Sequence, residues 1–275
     1  MPELPEVETI VRQLQNGHRD APTLAGMAVS DVTLHWPRHI AAPSPAGFRR
    51  RLRGRTIEAV SRRGKYLVFQ LDQGFLLIHL KMSGDLLVQR SAEPRDRAER
   101  TVLRLAGGWE LRFNDTRKFG KIYLLDDPGP ILGVLGPEPL DRRFTPAVLR
   151  QRLGARRRVL KPLLMDQTFL AGLGNIYADE ALHRARLHPR RMSHSLTPAE
   201  GSALWRGIRA SLRSGLRHNG ASIDWVFRGG GFQNYFRVYG RSGKPCRTCG
   251  TPIERIVLGQ RSTHFCPSCQ PEAPR

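Results

Sequence analysis

The first residues of the chain combine a proline with two carboxylates, a set of groups that can do covalent chemistry. If Met1 is removed, Pro2 becomes a secondary amine. The pKa of an α-amino group is about 7.7 to 8.0, so a neutral, nucleophilic fraction exists near pH 7. Glu3 and Glu6 are close enough in sequence to protonate a leaving oxygen or to guide the proton of the amine. The same residues also fit a plain helix start, in which Pro5 occupies the first turn and the acids match the helix dipole, and the two interpretations are compatible.

All four cysteines lie near the end of the chain, in two C-x2-C pairs separated by sixteen residues. The pairs are Cys246 with Cys249 and Cys266 with Cys269. Four thiolates on two tight turns are the ligand set that tetrahedral zinc prefers, and four protein ligands leave no position open for catalysis. The alternative, two disulfides, is typical of small secreted domains, and nothing else in the chain indicates secretion. The spacing therefore predicts one structural zinc ion (Zn²⁺), which stiffens a hairpin with a basic tip at Gln260 and Arg261.

The chain is strongly basic, since 45 Lys and Arg against 24 Asp and Glu give a formal charge of +21. This excess is larger than solubility needs and predicts a polyanionic partner, for which nucleic acid is the first candidate. A membrane surface would also attract the charge. However, no apolar run approaches the roughly 18 residues of a membrane span, and no signal peptide is recognisable. We expect a soluble intracellular protein without a membrane partner.

The N-terminal half alternates short strand-like runs and turns, which indicates an antiparallel sandwich or barrel. Strands are predicted at residues 56–60, 66–71, 75–80, 101–105, 110–113 and 122–125, with a hairpin turn at 107–108 and a solvated charged loop at 90–100. Residues 126–139, rich in glycine and proline, predict a domain boundary. Helical signals follow, with caps at Thr145 and at 197–200, a helix near 159–162, and a glycine turn at 171–174 that leads into a helix from Asn175.

The glycine turn could hold a phosphate. Gly172, Gly174 and Asn175 would place free backbone N–H groups at a helix start, where anions bind. The signal is weak alone, because glycine turns before helices are common. The basic run at 156–158 and Lys161 strengthen it, since a solvated surface does not need that charge density.

Two segments at strand ends, residues 79–84 and 115–120, carry side chains that could enter a duplex. Met82 lies in the first segment, and Arg117 and Phe119 in the second share a face if the chain is extended. An apolar wedge with an arginine can unstack a base step and fill the space that an extruded base leaves. Ordinary loop packing is the alternative for these residues. Lys65 follows a glycine turn at the start of a strand, and for it the alternative is an ordinary position on the surface.

Taken together, these segments resemble the formamidopyrimidine-DNA glycosylase family, bacterial repair enzymes that excise oxidised purines. The resemblance covers essentially the whole chain and rests on separate motifs. They are Pro-Glu-Leu-Pro-Glu-Val-Glu at 2–8, Gly-Lys-Tyr at 64–66, His-Leu-Lys-Met-Ser-Gly at 79–84, Asp-Thr-Arg-Lys-Phe-Gly at 115–120, Gly-Leu-Gly-Asn-Ile-Tyr at 172–177, Val-Tyr-Gly-Arg at 238–241 and the four-cysteine finger. Leu4 distinguishes this opening from the related endonuclease VIII type, which typically has glycine there.

The resemblance implies a role for each matching residue. Pro2 attacks C1′ of the damaged nucleotide and forms a Schiff base, Glu3 is the general acid at the sugar ring oxygen, and Glu6 positions the reacting groups. Elimination then cuts the 3′ and 5′ phosphates, with Lys65 and Arg261 as phosphate clamps. The implied DNA contacts are His79, Met82, Arg117, Phe119, Arg157 and Asn175, of which Met82, Arg117 and Phe119 form the wedge.

The resemblance also implies an α+β fold in three parts. These are an N-terminal antiparallel β-sandwich with flanking helices over residues 1–135, a helix-two-turn-helix domain with a loop over the lesion at 136–236, and a zinc-finger β-hairpin at 237–275. Duplex DNA with oxidised purines is the implied partner of a monomer in the bacterial cytoplasm, at the nucleoid. The rivals are a glycosylase for oxidised pyrimidines and a non-enzymatic zinc-finger protein that shapes DNA.

Some positions depart from the commoner family pattern. Lys81 stands where glycine is frequent, and Lys118 stands where arginine is frequent. Asp224 lies beside Trp225 and Phe227 in a segment that could close over the extruded base, where relatives sometimes carry a basic residue. We expect Asp224 to influence the choice between 8-oxoguanine and ring-opened formamidopyrimidines.

Overall fold

The computed structural model describes residues 1–222 and 229–272. The chain divides into two compact units, residues 1–134 with 219–230 and residues 135–218 with 231–275. Asp224, Trp225 and Phe227 lie outside the described residues. Within the described ranges, no helix has the length and apolar character that crossing a bilayer requires.

The N-terminal residues form helix α1, Leu4–Asn16. Glu3 is the N-cap and forms a capping box with Glu6, whose Oε2 accepts the Glu3 N–H at 2.8 Å. Pro5 lies in the first turn, where a missing N–H leaves no bond unmade. Gly17, with a φ of 75°, ends the helix. The predicted helix start is therefore confirmed.

Two β-sheets and helix α2, Pro45–Leu52, form most of the first unit. The strands are β1 Val29–Leu34, β2 Ile40–Ala42, β3 Ile57–Arg63, β4 Tyr66–Leu71, β5 Phe75–His79, β6 Gly84–Arg90, β7 Glu99–Leu105, β8 Trp109–Asp115 and β9 Lys121–Leu125. One sheet has the order β1-β7-β8-β6 and the other the order β2-β9-β5-β4-β3. Neighbouring strands pair antiparallel except β2 and β9, which are parallel.

The inward side chains of both sheets and of α1 join one hydrophobic core, as in a β-sandwich. Val7 of α1, Phe69 of β4 and Leu111 of β8 are all at most 1% exposed. The predicted sandwich is confirmed, and so is the turn at 107–108, where both glycines have positive φ. The loop predicted at 90–100 is too long at both ends, because residue 90 still belongs to β6 and residues 99 and 100 already belong to β7. The Glu99 carboxylate is buried beside Arg112.

The second unit contains helices and a hairpin, and it follows the short helix α3, Gly129–Leu132. Its helices are α4 Pro146–Gly154, α5 Leu160–Met165, α6 Asn175–Ala185 and α7 Pro198–Arg217, and its strands are β10 Glu254–Leu258 and β11 Arg261–Phe265. Helices α6 and α7 cross closely, since a Cβ on Gly207 would lie 2.6 Å from the Ala181 carbonyl oxygen. The caps predicted at Thr145 and Thr197 are confirmed.

Candidate functional site

The predicted acid pair at the N-terminus is buried and held by backbone donors. Pro2 is buried, and Glu3 and Glu6 are each 2% exposed. One oxygen of Glu6 takes the Glu3 N–H, and the other accepts the Ala221 N–H at 2.7 Å. Gly220 must be a glycine here, because its φ is +80° and a Cβ would lie 2.7 Å from Glu6 Oε1. Glu6 therefore links the start of α1 to the segment that begins at residue 220.

Lys65 and His79 lie inside the first unit. Lys65 is 4% exposed, so the alternative of a surface lysine is wrong. His79 is 8% exposed, its ring meets Tyr66 edge-on at 4.7 Å, and its Nδ1 accepts the Lys81 N–H at 3.0 Å. Burial, followed by the charges of Lys81 and Lys65, lowers the pKa of His79 to about 3. His79 is therefore neutral near pH 7 and holds the backbone that leads to Met82.

The predicted wedge residues lie on two neighbouring loops of the first unit. Met82 is half-buried, Arg117 is exposed, and Phe119 is 51% exposed. The Arg117 guanidinium carbon is 5.1 Å from the centre of the Phe119 ring. The Arg117 and Phe119 side chains are therefore accessible to a partner, as the wedge interpretation requires.

Both loops are held by one buried carboxylate, Asp115, which sequence reasoning did not identify as functional. Ser83 Oγ donates to Asp115 Oδ1, and Gly120 N donates to Oδ2 at 2.7 Å. Ser83 Oγ in turn accepts the Arg117 N–H at 2.9 Å. Burial raises the pKa of Asp115, but the neighbouring His39 and the hydrogen bonds from Ser83 and Gly120 lower it by more, so the net pKa lies below the usual range. Asp115 is thus an ionised anchor for both loops.

In the second unit, the glycine turn is held by Gln167. Its Oε1 accepts the Gly172 N–H at 2.9 Å, and its Nε2 donates to the Leu173 carbonyl oxygen at 2.8 Å. The expectation that Gly172 offers a free N–H is therefore wrong, because the Gln167 side chain already uses it. Asn175 is the first residue of α6, and among the described residues its Oδ1 has no hydrogen-bond partner.

Lys161 does not belong to an exposed basic surface. It is fully buried, and its Nζ lies 2.6 Å from Asp179 Oδ1 and 2.8 Å from the Ser262 carbonyl oxygen. The other Asp179 oxygen accepts the His264 N–H at 2.9 Å. The expectation that Lys161 contributes to phosphate binding is therefore wrong, because its charge is paired with that of Asp179. This pair joins α5 and α6 to β11.

Arg261 begins β11, directly after the two-residue turn of the hairpin. Gly259 and Gln260 in that turn have φ values of 54° and 61°, as a tight turn of this kind requires. Arg261 and Arg157 are both exposed. The predicted basic tip of the finger is confirmed.

The four cysteines converge at the base of the hairpin. Their Sγ atoms all lie within 4.8 Å of one another, with separations of 3.9 Å for Cys246–Cys269 and 3.4 Å for Cys249–Cys266. Tetrahedral zinc with Zn–S bonds of about 2.3 Å needs sulfurs about 3.8 Å apart, whereas a disulfide needs about 2.05 Å. All four cysteines are free thiols. The site fits one structural zinc ion, and the disulfide alternative is wrong.

Comparisons with known proteins agree with this geometry. Family models match at residues 1–122 (formamidopyrimidine-DNA glycosylase N-terminal domain), 135–226 (formamidopyrimidine-DNA glycosylase H2TH domain) and 243–271 (zinc finger found in FPG and IleRS). The formamidopyrimidine-DNA glycosylase of Symbiobacterium thermophilum is 45% identical, over 98% of this chain and 90% of the relative. The chain belongs to the formamidopyrimidine-DNA glycosylase family. The enzyme of the same name from Chloroflexus aurantiacus is 46% identical, over 98% of each chain.

Solved structures of the family have the same fold. MutM in complex with DNA containing carbocyclic 8-oxo-G has a TM-score of 0.90 at 32% identity, covering 98% of this chain and 100% of that one. Lactococcus lactis Fpg in complex with DNA containing Fapy-dG has a TM-score of 0.90 at 33% identity, with the same coverage. Formamidopyrimidine-DNA glycosylases are DNA glycosylases with AP lyase activity, so this chain is an enzyme and the architectural-protein alternative is wrong.

The two lysines that depart from the family pattern occupy strained positions. Lys81 has a φ of 52° and Lys118 a φ of 60°, in the left-handed region that glycine adopts without a steric cost. A glycine at position 81 would adopt this backbone conformation without a steric cost. At Lys81 the His79 ring accepts the backbone N–H, which stabilises this conformation.

Proposed function

We propose that the protein excises oxidised purines, both 8-oxoguanine and formamidopyrimidines, from duplex DNA through a Schiff base on Pro2, followed by β- and δ-elimination. The lesions in the MutM and Lactococcus lactis complexes support this substrate class. The formal charge of +21 supports a DNA partner. Leu4, where endonuclease VIII-type enzymes typically have glycine, favours purines over pyrimidines.

The chemistry requires a free amine, so Met1 must first be removed. Met1 is 40% exposed, which leaves it open to an aminopeptidase, whereas Pro2 is buried. The Pro2 nitrogen then bonds to C1′, the C1′–N bond to the base breaks, and the base leaves with the electron pair and takes up a proton. Glu3 donates a proton to O4′ as the C1′–O4′ bond breaks, which opens the sugar and leaves an iminium.

The iminium makes the C2′ hydrogen acidic. Loss of that proton expels the 3′ phosphate, and loss of the C4′ proton then expels the 5′ phosphate, which leaves a one-nucleoside gap. Glu6 keeps Glu3 and the N-terminus in place through its two backbone hydrogen bonds. Lys65 and Arg261 bind the phosphates that leave.

The other predicted residues hold the DNA. Met82, Arg117 and Phe119 fill the hole that the extruded nucleotide leaves, with Arg117 facing the orphaned cytosine. Asn175 and Arg157 bind backbone phosphates. His79 contributes by fixing the loop before Met82 through its bond with the Lys81 N–H.

The observation that carries the proposal is that Pro2 directly precedes Glu3, and the buried capping box fixes both at the start of α1. The test is borohydride reduction with a duplex that has one 8-oxoguanine opposite cytosine. We expect a covalent adduct that mass spectrometry maps to Pro2, and loss of the adduct when that amine is acetylated. Glu3→Gln should slow base release, whereas the matched control Glu8→Gln, on the same helix but paired with Arg12 and Arg62, should not.

Two outcomes would contradict the proposal. An adduct on a lysine, in a protein that still begins with Met1, would rule out the mechanism in which Pro2 is the nucleophile. Stronger trapping on duplexes with oxidised pyrimidines than on the 8-oxoguanine duplex would show a preference for pyrimidines, as in enzymes of the endonuclease VIII type.

We also propose that the enzyme acts as a monomer at the nucleoid of the bacterial cytoplasm, and that its chain is organised as residues 1–135, 136–236 and 237–275. The high positive charge supports a location on bulk DNA. Family models that end at residue 122 and begin at 135 support the first boundary. Light scattering of the free protein would test the monomer.

A further inference from the structure

Loop 116–120, which carries Arg117 and Phe119, rests on a second segment that belongs to none of the family motifs above. This segment, residues 36–39, contains a single 3₁₀ turn, Pro37–His39, that leads into β2. Both segments belong to the first unit, and β2 pairs with β9, the strand that follows loop 116–120. The turn is therefore fixed in register beside the loop.

His39 connects the turn to the buried anchor of the loop. Its Nε2 lies 3.3 Å from Asp115 Oδ2, and both side chains are completely buried. The His39 ring also lies 4.9 Å from the Phe113 ring. Among the described residues neither ring nitrogen of His39 makes a well-aligned hydrogen bond, so the contact with the Asp115 carboxylate is a close electrostatic one. Such a contact is strong where both groups are shielded from water.

Asp115 passes this support to the loop. The oxygen that faces His39 also accepts the Gly120 N–H, and the other oxygen accepts the Ser83 hydroxyl, which in turn accepts the Arg117 N–H. The chain of polar contacts thus begins at His39 and ends on the backbone of the residue that faces the orphaned base. Hydrogen bonds in such a buried network strengthen one another.

Trp36 supports the same loop from outside. The Lys118 ammonium lies 4.4 Å from the centre of the Trp36 ring, and Lys121 Nζ donates to the Arg38 carbonyl oxygen at 3.0 Å. Lys118 is the residue with the left-handed φ of 60°. The Trp36 contact therefore stabilises the one position where the loop is strained.

We propose that His39 is a positioning residue for base-pair disruption: through Asp115 it holds loop 116–120 in the conformation that inserts Arg117 and Phe119 into the duplex. Trp36 assists through Lys118. This inference rests on the proposed function, because it assumes that Arg117 and Phe119 form the wedge. His39 acts through other residues and touches neither the lesion nor the sugar.

The test follows insertion and chemistry separately. Insertion is measured by the fluorescence of 2-aminopurine placed next to the orphaned base, in a duplex that holds a tetrahydrofuran abasic analogue. Chemistry is measured as borohydride trapping at a natural abasic site, in duplex DNA and in single-stranded DNA, where no opposite base has to be displaced. The variants are His39→Phe, which keeps a buried ring without the nitrogen that faces Asp115, and His39→Gln, whose amide nitrogen can take the place of the ring nitrogen.

For His39→Phe we expect the protein concentration needed for half-maximal insertion to rise about tenfold, as for the loss of one buried polar contact to a carboxylate. The ratio of duplex to single-strand trapping should fall by a similar factor. His39→Gln should recover insertion to within about threefold of wild type. His35→Phe is the matched control, because His35 lies beside the same turn but pairs at 3.3 Å with Glu99, a residue of β7 and not of the loop. It should insert like wild type.

The outcomes separate this inference from the function on which it rests. If Phe119→Ala leaves the insertion signal intact, the wedge assignment is wrong. If Phe119→Ala loses the signal while His39→Phe and His39→Gln both insert like wild type, the wedge stands and the positioning role is overturned. If His39→Phe lowers duplex and single-strand trapping equally and His39→Gln restores neither, His39 serves folding in general, which also overturns the proposal.

Discussion

The buried pair of Lys161 and Asp179 allows a quantitative prediction for the substitution Lys161→Met. Both side chains are 0% exposed, and their charged atoms are 2.6 Å apart. Met fills nearly the same space without the charge. Among the residues that the structure describes, it leaves the buried Asp179 carboxylate with the His264 N–H and the His264 ring, 3.2 Å away, as partners.

The expected loss is large, because one buried charge remains without its counter-charge. Breaking a buried ion pair from one side costs about 3 to 5 kcal/mol in the free energy of unfolding, and a whole domain has only about 5 to 15 kcal/mol. The Ser262 carbonyl oxygen also loses its Lys161 donor, which adds about 1 kcal/mol. The double variant Lys161→Met, Asp179→Asn removes both charges while keeping an acceptor for the His264 N–H. It should recover at least about half of the loss.

The measurement is urea unfolding of both variants at pH 7, followed by tryptophan fluorescence and circular dichroism. Arg158→Met is the matched control, because the Arg158–Asp166 pair joins the same charges at 2.6 Å but is 47% and 26% exposed, so it should cost about 0 to 1 kcal/mol. If Lys161→Met loses no more stability than Arg158→Met, or if the double variant is less stable than the single one, the ion pair does not stabilise this unit as argued.

Three further predictions concern the zinc ligands, His79 and Gly120. Because the four thiolates fit one zinc ion, Cys266→Ser should reduce metal content from about one zinc per chain to nearly none and lower the urea midpoint, whereas Ser268→Ala, between the second pair of ligands, should keep the zinc. The folded state keeps His79 neutral with a pKa of about 3, so the free energy of unfolding should fall as pH drops from about 6.5 toward 3; His79→Gln should flatten that slope in urea titrations at several pH values, and an unchanged slope would refute the assignment. A Cβ at Gly120 would collide with the Phe113 ring and lie 3.1 Å from Asp115 Oδ2, so Gly120→Ala should cost about 1 to 3 kcal/mol and weaken insertion, whereas Gly154→Ala, where the added Cβ meets open space, should be neutral or stabilising by thermal unfolding.

The features that the sequence predicted well are those encoded by local spacing. The zinc ligands follow from two C-x2-C pairs, and α1 and α7 follow from Pro and Glu at their first turns. The missed elements, such as strand β1 and helix α2, lack such spacing. β1 carries Ser30 and Asp31 in its first half, and α2 has three consecutive arginines, so neither shows the expected alternation or apolar stripe although Phe48 and Leu52 of α2 are fully buried.

The buried polar networks could not be predicted from one sequence. Lys161 looked like part of a basic surface, because the charge density of residues 156–158 gives no sign that one of the neighbouring cations faces inward. Its partner Asp179 follows on another helix, and Ser262 comes from the finger. Likewise, Asp115 was part of a recognised motif, but His39, which faces it, lies in a turn without any motif. Only the three-dimensional fold brings such residues together.

In the proposed function, the exposed residues of the candidate site contact DNA, and the buried residues hold the backbone that carries them. Arg117, Phe119 and Arg261 have side chains in solvent, so their replacement should change DNA binding with little effect on stability. The backbone beneath them is held by buried groups, Asp115 under the first two and the Lys161–Asp179 pair under the finger strand. A loop that buried groups already fix does not have to become ordered when DNA binds. These networks therefore lower the entropic cost of inserting a side chain into the duplex. Substitutions in the networks should therefore reduce stability and DNA distortion together, which separates them from substitutions at the exposed tips.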